Sequence, residues 1–154
     1  MKERFDRKLK KLRKRDREML VLADSITFYF KIRPEVVAVY LFGSYAQVRE
    51  KPFSDIDLGV LLDHKSLPKK NDLETTYTVD LEKQLRKDFH IIILNAAGEM
   101  LLAQIFKREK CIVQRNPSLL SRFKTASYSR IADFSFHRKS MEKAFISRIL
   151  GASK

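Results

Sequence analysis

The chain has 154 residues and a mass of 18.1 kDa, enough for one compact domain with a real core and too little for two ordinary ones. A 44% hydrophobic and 33% charged composition with only four Gly and four Pro excludes collagen-like, low-complexity and wholly disordered chains. The net charge of +13 sits on the flanks: Met1–Glu18 carries ten basic and four acidic residues, Met19–Asn116 fourteen and thirteen, and Pro117–Lys154 eight and two. Such a field attracts an acidic partner, RNA or a triphosphate at long range without identifying which. Cys111 is the single cysteine and forms no internal disulfide, and the N-terminus is charged from Lys2 onward, unlike a signal peptide. The longest apolar run, Val36–Phe42, is far shorter than the roughly 20 residues of a membrane span, so a cytoplasmic protein without membrane contact is expected.

Glu3 to about Phe30 reads as one helix, because Phe5, Leu9, Leu12, Met19, Leu22 and Ile26 recur at helical spacing among charged positions. Pro34 stops it, and the β-branched and aromatic run Val36–Phe42 predicts a buried strand. Gly43-Ser44 ends that strand and opens a short helix or turn through Gln47, ahead of a loop at Lys51-Pro52. A second strand is expected at Phe53–Leu62, then a loop from Asp63 to Lys70 and a helix from Asn71 or Asp72 to about Arg86. A third strand follows at Phe89–Leu94, a short helix at Glu99–Lys107 and a brief edge strand at Cys111–Val113. Asn116-Pro117 is a helix start signal, with Asn as N-cap and Pro at the first helical position, and one long helix or two short ones should fill the rest. The fold class is therefore α/β (α+β): a small mixed sheet of Val36–Phe42, Asp55–Leu62 and Phe89–Leu94 flanked by helices. The chain reads as one domain over 1–154, with a basic N-terminal helix (1–30), a core (36–95) and a C-terminal helical extension (116–150).

Asp55 and Asp57, two residues apart on a strand, point to one face about 6 to 7 Å apart at the backbone. Without a cation they repel each other, and hard divalent ions such as Mg²⁺, which take oxygen ligands, offset that repulsion. Upstream, Gly43 permits close backbone approach, Ser44 offers a hydroxyl, and N–H groups opening a helix attract phosphate. The ten residues between Ser44 and Asp55 form a hairpin-sized excursion that brings the Gly-Ser turn beside the carboxylates. Triphosphate and metal would then share one cleft.

The pattern Leu41-Phe42-Gly43-Ser44-Tyr45, ten residues, and Ser54-Asp55-Ile56-Asp57-Leu58 resembles the polymerase-β-type nucleotidyltransferase superfamily. Within it the chain is similar to the minimal nucleotidyltransferases (MNT type), the antitoxin halves of pairs whose toxin is a HEPN-domain ribonuclease. The likeness runs from about Val36 to Asn95 and more loosely to the end. It implies transfer of AMP from ATP to a tyrosine of the partner toxin, with Gly43 and Ser44 binding the nucleotide, Asp55 and Asp57 holding Mg²⁺, and a hetero-oligomer with the toxin. The chain departs from that pattern where the family often has Arg and Gly: here stand Gln47 and Val48, with Arg49 next. The family's third acidic position, on the strand Phe89–Asn95, is His90. Histidine is a poor Mg²⁺ ligand beside hard oxygens but serves as a neutral base toward an acceptor hydroxyl. Asp88, of the same strand parity, is the alternative acid.

Two rival readings follow. His90 in place of a carboxylate suits an antitoxin that is weak or inactive as an enzyme and acts by binding alone. A small-molecule nucleotidyltransferase of the aminoglycoside type would want an acidic pocket for its polycationic substrate, against which the +13 charge argues. No specific nucleic acid is expected, since the charged half of the N-terminal helix has almost no aromatic residues to stack bases. His64 and His137 lack partners at metal-ligand spacing, and Cys111, in a short apolar run, reads as core. Tyr128, Phe134 and Phe136 cannot share one stripe; they either line a partner surface or broaden the buried face.

Overall fold

The computed structural model describes residues 13–46, 54–108 and 110–151. The expected helical turns before Arg13, and the loop carrying Gln47, Val48, Arg49, Lys51 and Pro52, lie outside them; Arg13 itself is extended (φ −58°, ψ 150°) and caps a helix that starts at Lys14, so the single helix expected from Glu3 to about Phe30 is not continuous through it. In chain order the elements are α1 (Lys14–Lys31), β1 (Val36–Phe42), a single-turn α2 (Gly43–Ala46), β2 (Ile56–Leu62), a 3₁₀ segment (His64–Lys69), α3 (Lys70–Leu85), β3 (Phe89–Ile93), a 3₁₀ turn (Leu94–Ala96), α4 (Glu99–Arg108), β4 (Lys110–Gln114) and α5 (Pro117–Gly151). The four strands make one mixed sheet in the order β3-β2-β1-β4, with β1 antiparallel to both neighbours and β2 parallel to β3.

β1 is buried along its whole length because helices cover both faces of the sheet, which is why its sequence reads as an unbroken apolar run rather than an alternation. On one face Ile26, Tyr29 and Phe30 of α1 and Tyr77 and Leu81 of α3 pack on Val39, Leu41, Leu58 and Ile91. The Tyr29, Phe30 and Tyr77 rings meet edge to face, with Phe30 and Tyr77 centroids 5.1 Å apart. On the other face Leu102 and Ile105 of α4 and Leu120 of α5 cover Ala38, Tyr40, Leu61 and Leu94. Each fully buried Leu, Ile, Val or Phe side chain among these contributes about 1.5–3 kcal/mol.

Local chemistry explains most element ends. Asn116 Oδ1 accepts the Leu119 N–H at 3.0 Å, the expected cap of α5, which then continues unbroken for 35 residues. α3 stops at Arg86, whose left-handed backbone (φ 53°) forms the C-cap. Asn95 acts as a surrogate strand residue: its side-chain amide accepts from the Leu62 N–H at 2.9 Å and donates to the Leu62 carbonyl at 3.0 Å, pinning the turn after β3 to the end of β2.

Two further expectations about these elements need correction. The segment expected as a loop from Asp63 to Lys70 is helical: Asp63 Oδ1 caps it by accepting the Ser66 N–H at 2.9 Å, and Pro68 fits in the short 3₁₀ run. Cys111, expected in the core, is exposed on the edge strand β4. Its Sγ–H donates to the Val113 carbonyl at 3.2 Å, and although the residue as a whole is exposed, partial desolvation of the sulfur against the sheet raises the thiol pKa, away from nucleophilic use.

Candidate active site

The parallel ladder between β2 and β3 pairs Ile56 with Phe89 and Asp57 with His90. Ile56 and Leu58 belong to the core under α1 and α3, as do Phe89 and Ile91, so alternation turns Asp57 and His90 together onto the opposite face. The packing of α4 and α5 on that face involves Leu61 and Leu94, farther along the two strands. Asp57 and His90 therefore stand side by side at the sheet's end. Their side chains are 25% and 60% exposed, and His90 Nδ1 lies 3.0 Å from Asp57 Oδ1. A carboxylate only accepts, so Nδ1 carries the proton of this bond and a neutral imidazole presents Nε2 as an acceptor. At such exposure the pair adds little stability; its effect is to orient the ring.

The other carboxylate oxygen of Asp57 faces Gly43. β1 pairs Phe42 with Asp57, so the next residue, Gly43, turns across the carboxylate with φ +74°. A Cβ at Gly43 would collide with Asp57 Oδ2. Glycine is thus required twice, for the left-handed backbone and for the approach. Ser44 follows, partly exposed, and Tyr45 folds back into the core with Lys87 Nζ 5.9 Å from its ring centre. Lys87, to which the sequence reading gave no role, brings a cation over the ring of Tyr45, the residue after the Gly-Ser pair.

Asp55 does not begin the strand as expected. β2 opens at Ile56, whose N–H donates to the Asp88 carbonyl at 2.9 Å, and Asp55 is exposed at the lead-in. Extending the ladder by one rung puts Asp88 beside Asp55, outside the Asp57–His90 pair. His64, at the start of the 3₁₀ segment, and His137, on α5, lie in other elements.

Among the described residues no three His, Cys, Asp or Glu side chains converge as a complete metal cage. The Asp57 carboxylate beside the Gly43 turn is an oxygen donor of the kind Mg²⁺ takes when it binds with a nucleotide, one or two protein oxygens with the rest from phosphates and water, and Asp55 stands two residues before it, exposed in the lead-in to β2. No helix among the described residues is long and apolar enough to cross a membrane.

No curated protein matches the sequence. Among solved structures, a chain of a toxin–antitoxin complex with AMP-PNP is similar at 20% identity and a TM-score of 0.58, covering 83% of this chain and 98% of that one. A chain of the tri-AMPylated Shewanella oneidensis HEPN toxin in complex with MNT antitoxin gives 18%, 0.55, 86% and 98% for the same quantities. The toxin–antitoxin pair MntA-HepT gives 18%, 0.55, 85% and 98%. These likenesses establish the fold. Residues 24–118 match the family described as Polymerase beta, Nucleotidyltransferase, a span that contains the Gly-Ser turn, both aspartates and His90. The chain belongs to the polymerase beta nucleotidyltransferase family.

Proposed function

We propose that the chain transfers AMP from ATP to a tyrosine of a HEPN ribonuclease toxin and thereby neutralises it, working in the reducing cytoplasm as a hetero-oligomer with that toxin. The observation that carries this reading is the meeting of the Gly43 turn, the Asp57 carboxylate and His90 at one open sheet end. The solved complexes of similar fold, one with AMP-PNP and one with a tri-AMPylated toxin, supply the donor and the acceptor class. Residues 1–154 act as one unit, with 36–95 as the catalytic core.

Gly43 and Ser44 bind the triphosphate, where the missing side chain admits phosphate oxygens close to the backbone. Asp55 and Asp57 hold Mg²⁺, which when bound neutralises charge on the phosphates and favours pyrophosphate as leaving group. Asp57 has two tasks, one per oxygen: Oδ2 faces the turn, and Oδ1 fixes His90. With Nδ1 so engaged, His90 Nε2 accepts the phenolic proton as the tyrosine oxygen attacks the α-phosphorus and the bond to pyrophosphate breaks.

His90→Ala should lower transfer by roughly 10²- to 10⁴-fold with little loss of ATP affinity, because a base acts in the transition state. His90→Asp should preserve or raise transfer. An adduct rate equal in wild type and His90→Ala removes His90 from the mechanism. One observation favours a second reading: the imidazole engages an oxygen of the carboxylate meant for the ion. In that reading the chain blocks its toxin by contact alone, and only His90→Asp yields an adduct.

A further inference from the structure

The Asp57–His90 bond joins two strands that meet only because α3 carries the chain back to the sheet, so its 3.0 Å length depends on where β3 begins. His90 is the second residue of that strand, on the edge of the sheet. Its inner side is held by the ladder, where the Ile56 N–H donates to the Asp88 carbonyl at 2.9 Å. In a parallel ladder the backbone groups of alternate residues face the neighbouring strand. With Ile56 opposite Phe89 and bonded to Asp88, the Phe89 N–H points away from β2, off the sheet. Glu82, in the last turn of α3, stands where a further strand would: its Oε1 accepts the Phe89 N–H at 3.3 Å.

The Glu82 carbonyl also accepts the Arg86 N–H at 3.0 Å, the bond that closes the left-handed cap of α3. One residue therefore clamps both ends of the connection between helix and strand, the helix end with its backbone and the strand start with its side chain. The peptide it holds immediately precedes His90. With its side chain 60% exposed, His90 gains little orientation from packing; its backbone position and the Asp57 bond orient the ring. We propose that Glu82 is a positioning residue, setting the level at which β3 starts and so holding the His90 imidazole against Asp57 Oδ1. A misplacement of about 1 Å at a reacting group costs up to roughly 10²-fold in rate, which makes this clamp matter to the chemistry and not only to the strand.

The first readout needs neither toxin nor nucleotide. In the ¹⁵N-labelled full chain, in chelator at about pH 8 where imidazole is neutral, ring nitrogen shifts should show the His90 proton on Nδ1, the form that the Asp57 bond selects. Glu82→Ala should move the ring toward the other tautomer with circular dichroism unchanged. Glu82→Asp, equally charged but one methylene too short to reach the Phe89 N–H, should act like Glu82→Ala, and Glu82→Gln, whose amide oxygen accepts the same N–H, should keep the wild-type form. The second readout rests on the transfer reading above: Glu82→Ala should lower kcat for AMP transfer to the toxin by about tenfold with KM for ATP within twofold, and Glu82→Gln should restore it. In the His90→Ala background Glu82→Ala should cost less than twofold, because the clamp then has no imidazole to place. A wild-type tautomer in both Glu82→Ala and Glu82→Asp overturns the proposal. So does a rate loss of equal size with and without His90, which assigns Glu82 to the strand's stability alone. No adduct from wild type, with the tautomer still moved by Glu82→Ala, removes the transfer reading and leaves the placement of His90 by Glu82 standing.

Discussion

The two ends of the β1–β2 ladder, about 20 Å apart along the strands, hold polar groups in opposite conditions. At the Val36–Leu62 end the groups consume one another. Tyr29 donates to Asp80 at 2.7 Å, Arg33 reaches the same carboxylate at 3.2 Å, and Tyr77 donates to Glu35 at 2.6 Å. The Arg33 guanidinium lies 4.0 Å from the Tyr29 ring centre and 5.3 Å from that of Tyr77, although its Nε is buried without a hydrogen-bond partner among the described residues. At the Phe42–Asp57 end one imidazole bond is made, and the second carboxylate oxygen faces a residue with no side chain. Both clusters are polar, but among the described residues only the second keeps acceptor capacity on side chains that stand partly exposed. That difference marks a site more reliably than polarity alone.

Gly43→Ala should break the open end most severely. The added Cβ and Asp57 Oδ2 cannot both keep their places, so transfer should fall by roughly 10²-fold, with a stability cost of about 1–2 kcal/mol for a side chain at positive φ. Adduct formation rates and denaturant melts measure the two effects; unchanged transfer would mean that Asp57 is not held as described. Arg33→Ala is the converse. It should cost about 1–3 kcal/mol in stability by removing the cation–π contacts and the Asp80 pair, and leave ATP affinity within twofold. A loss of ATP binding in the folded variant would join the two ends that the structure separates.

The smallest effect is on pH dependence. Burial, reinforced by the hydrogen bond to Glu35, raises the Tyr77 phenol pKa above its ordinary value near 10, and burial does the same for Tyr29 and Tyr40. The native state then keeps protons that the unfolded chain releases. Stability should be full below about pH 10 and decline as pH rises further. Tyr77→Phe should cost about 1 kcal/mol at neutral pH and make the alkaline decline shallower. An identical decline in the variant would show that Tyr77 is not held neutral by its surroundings.

Strands and caps were legible because they depend on local signals: the run Val36–Phe42, the alternation around Asp57, and Asn116-Pro117 before a long helix. Gly43, Asp57 and His90, which the structure brings together, were legible as types and spacings. The bond between Asp57 and His90 was not, because it depends on the register of two strands joined by a 16-residue helix, although Ile56-Asp57 and Phe89-His90 carry the same apolar–polar step. The Arg33 cluster was invisible for a related reason: its partners stand 42 to 51 residues apart in sequence pairs such as Tyr77–Glu35 and Tyr29–Asp80. The helical nature of Asp63–Lys70 was obscured by Pro68, whose tolerance depends on a cap that sequence shows only as another Asp.

The central claim is that the open end performs nucleotidyl transfer through its aspartates. Intact-mass spectrometry of the HEPN toxin after incubation with ATP, Mg²⁺ and the full chain tests it most directly. A toxin heavier by AMP on a tyrosine with wild type, and no adduct with Asp55→Asn/Asp57→Asn, is the predicted result. An adduct formed equally by the double variant would contradict it.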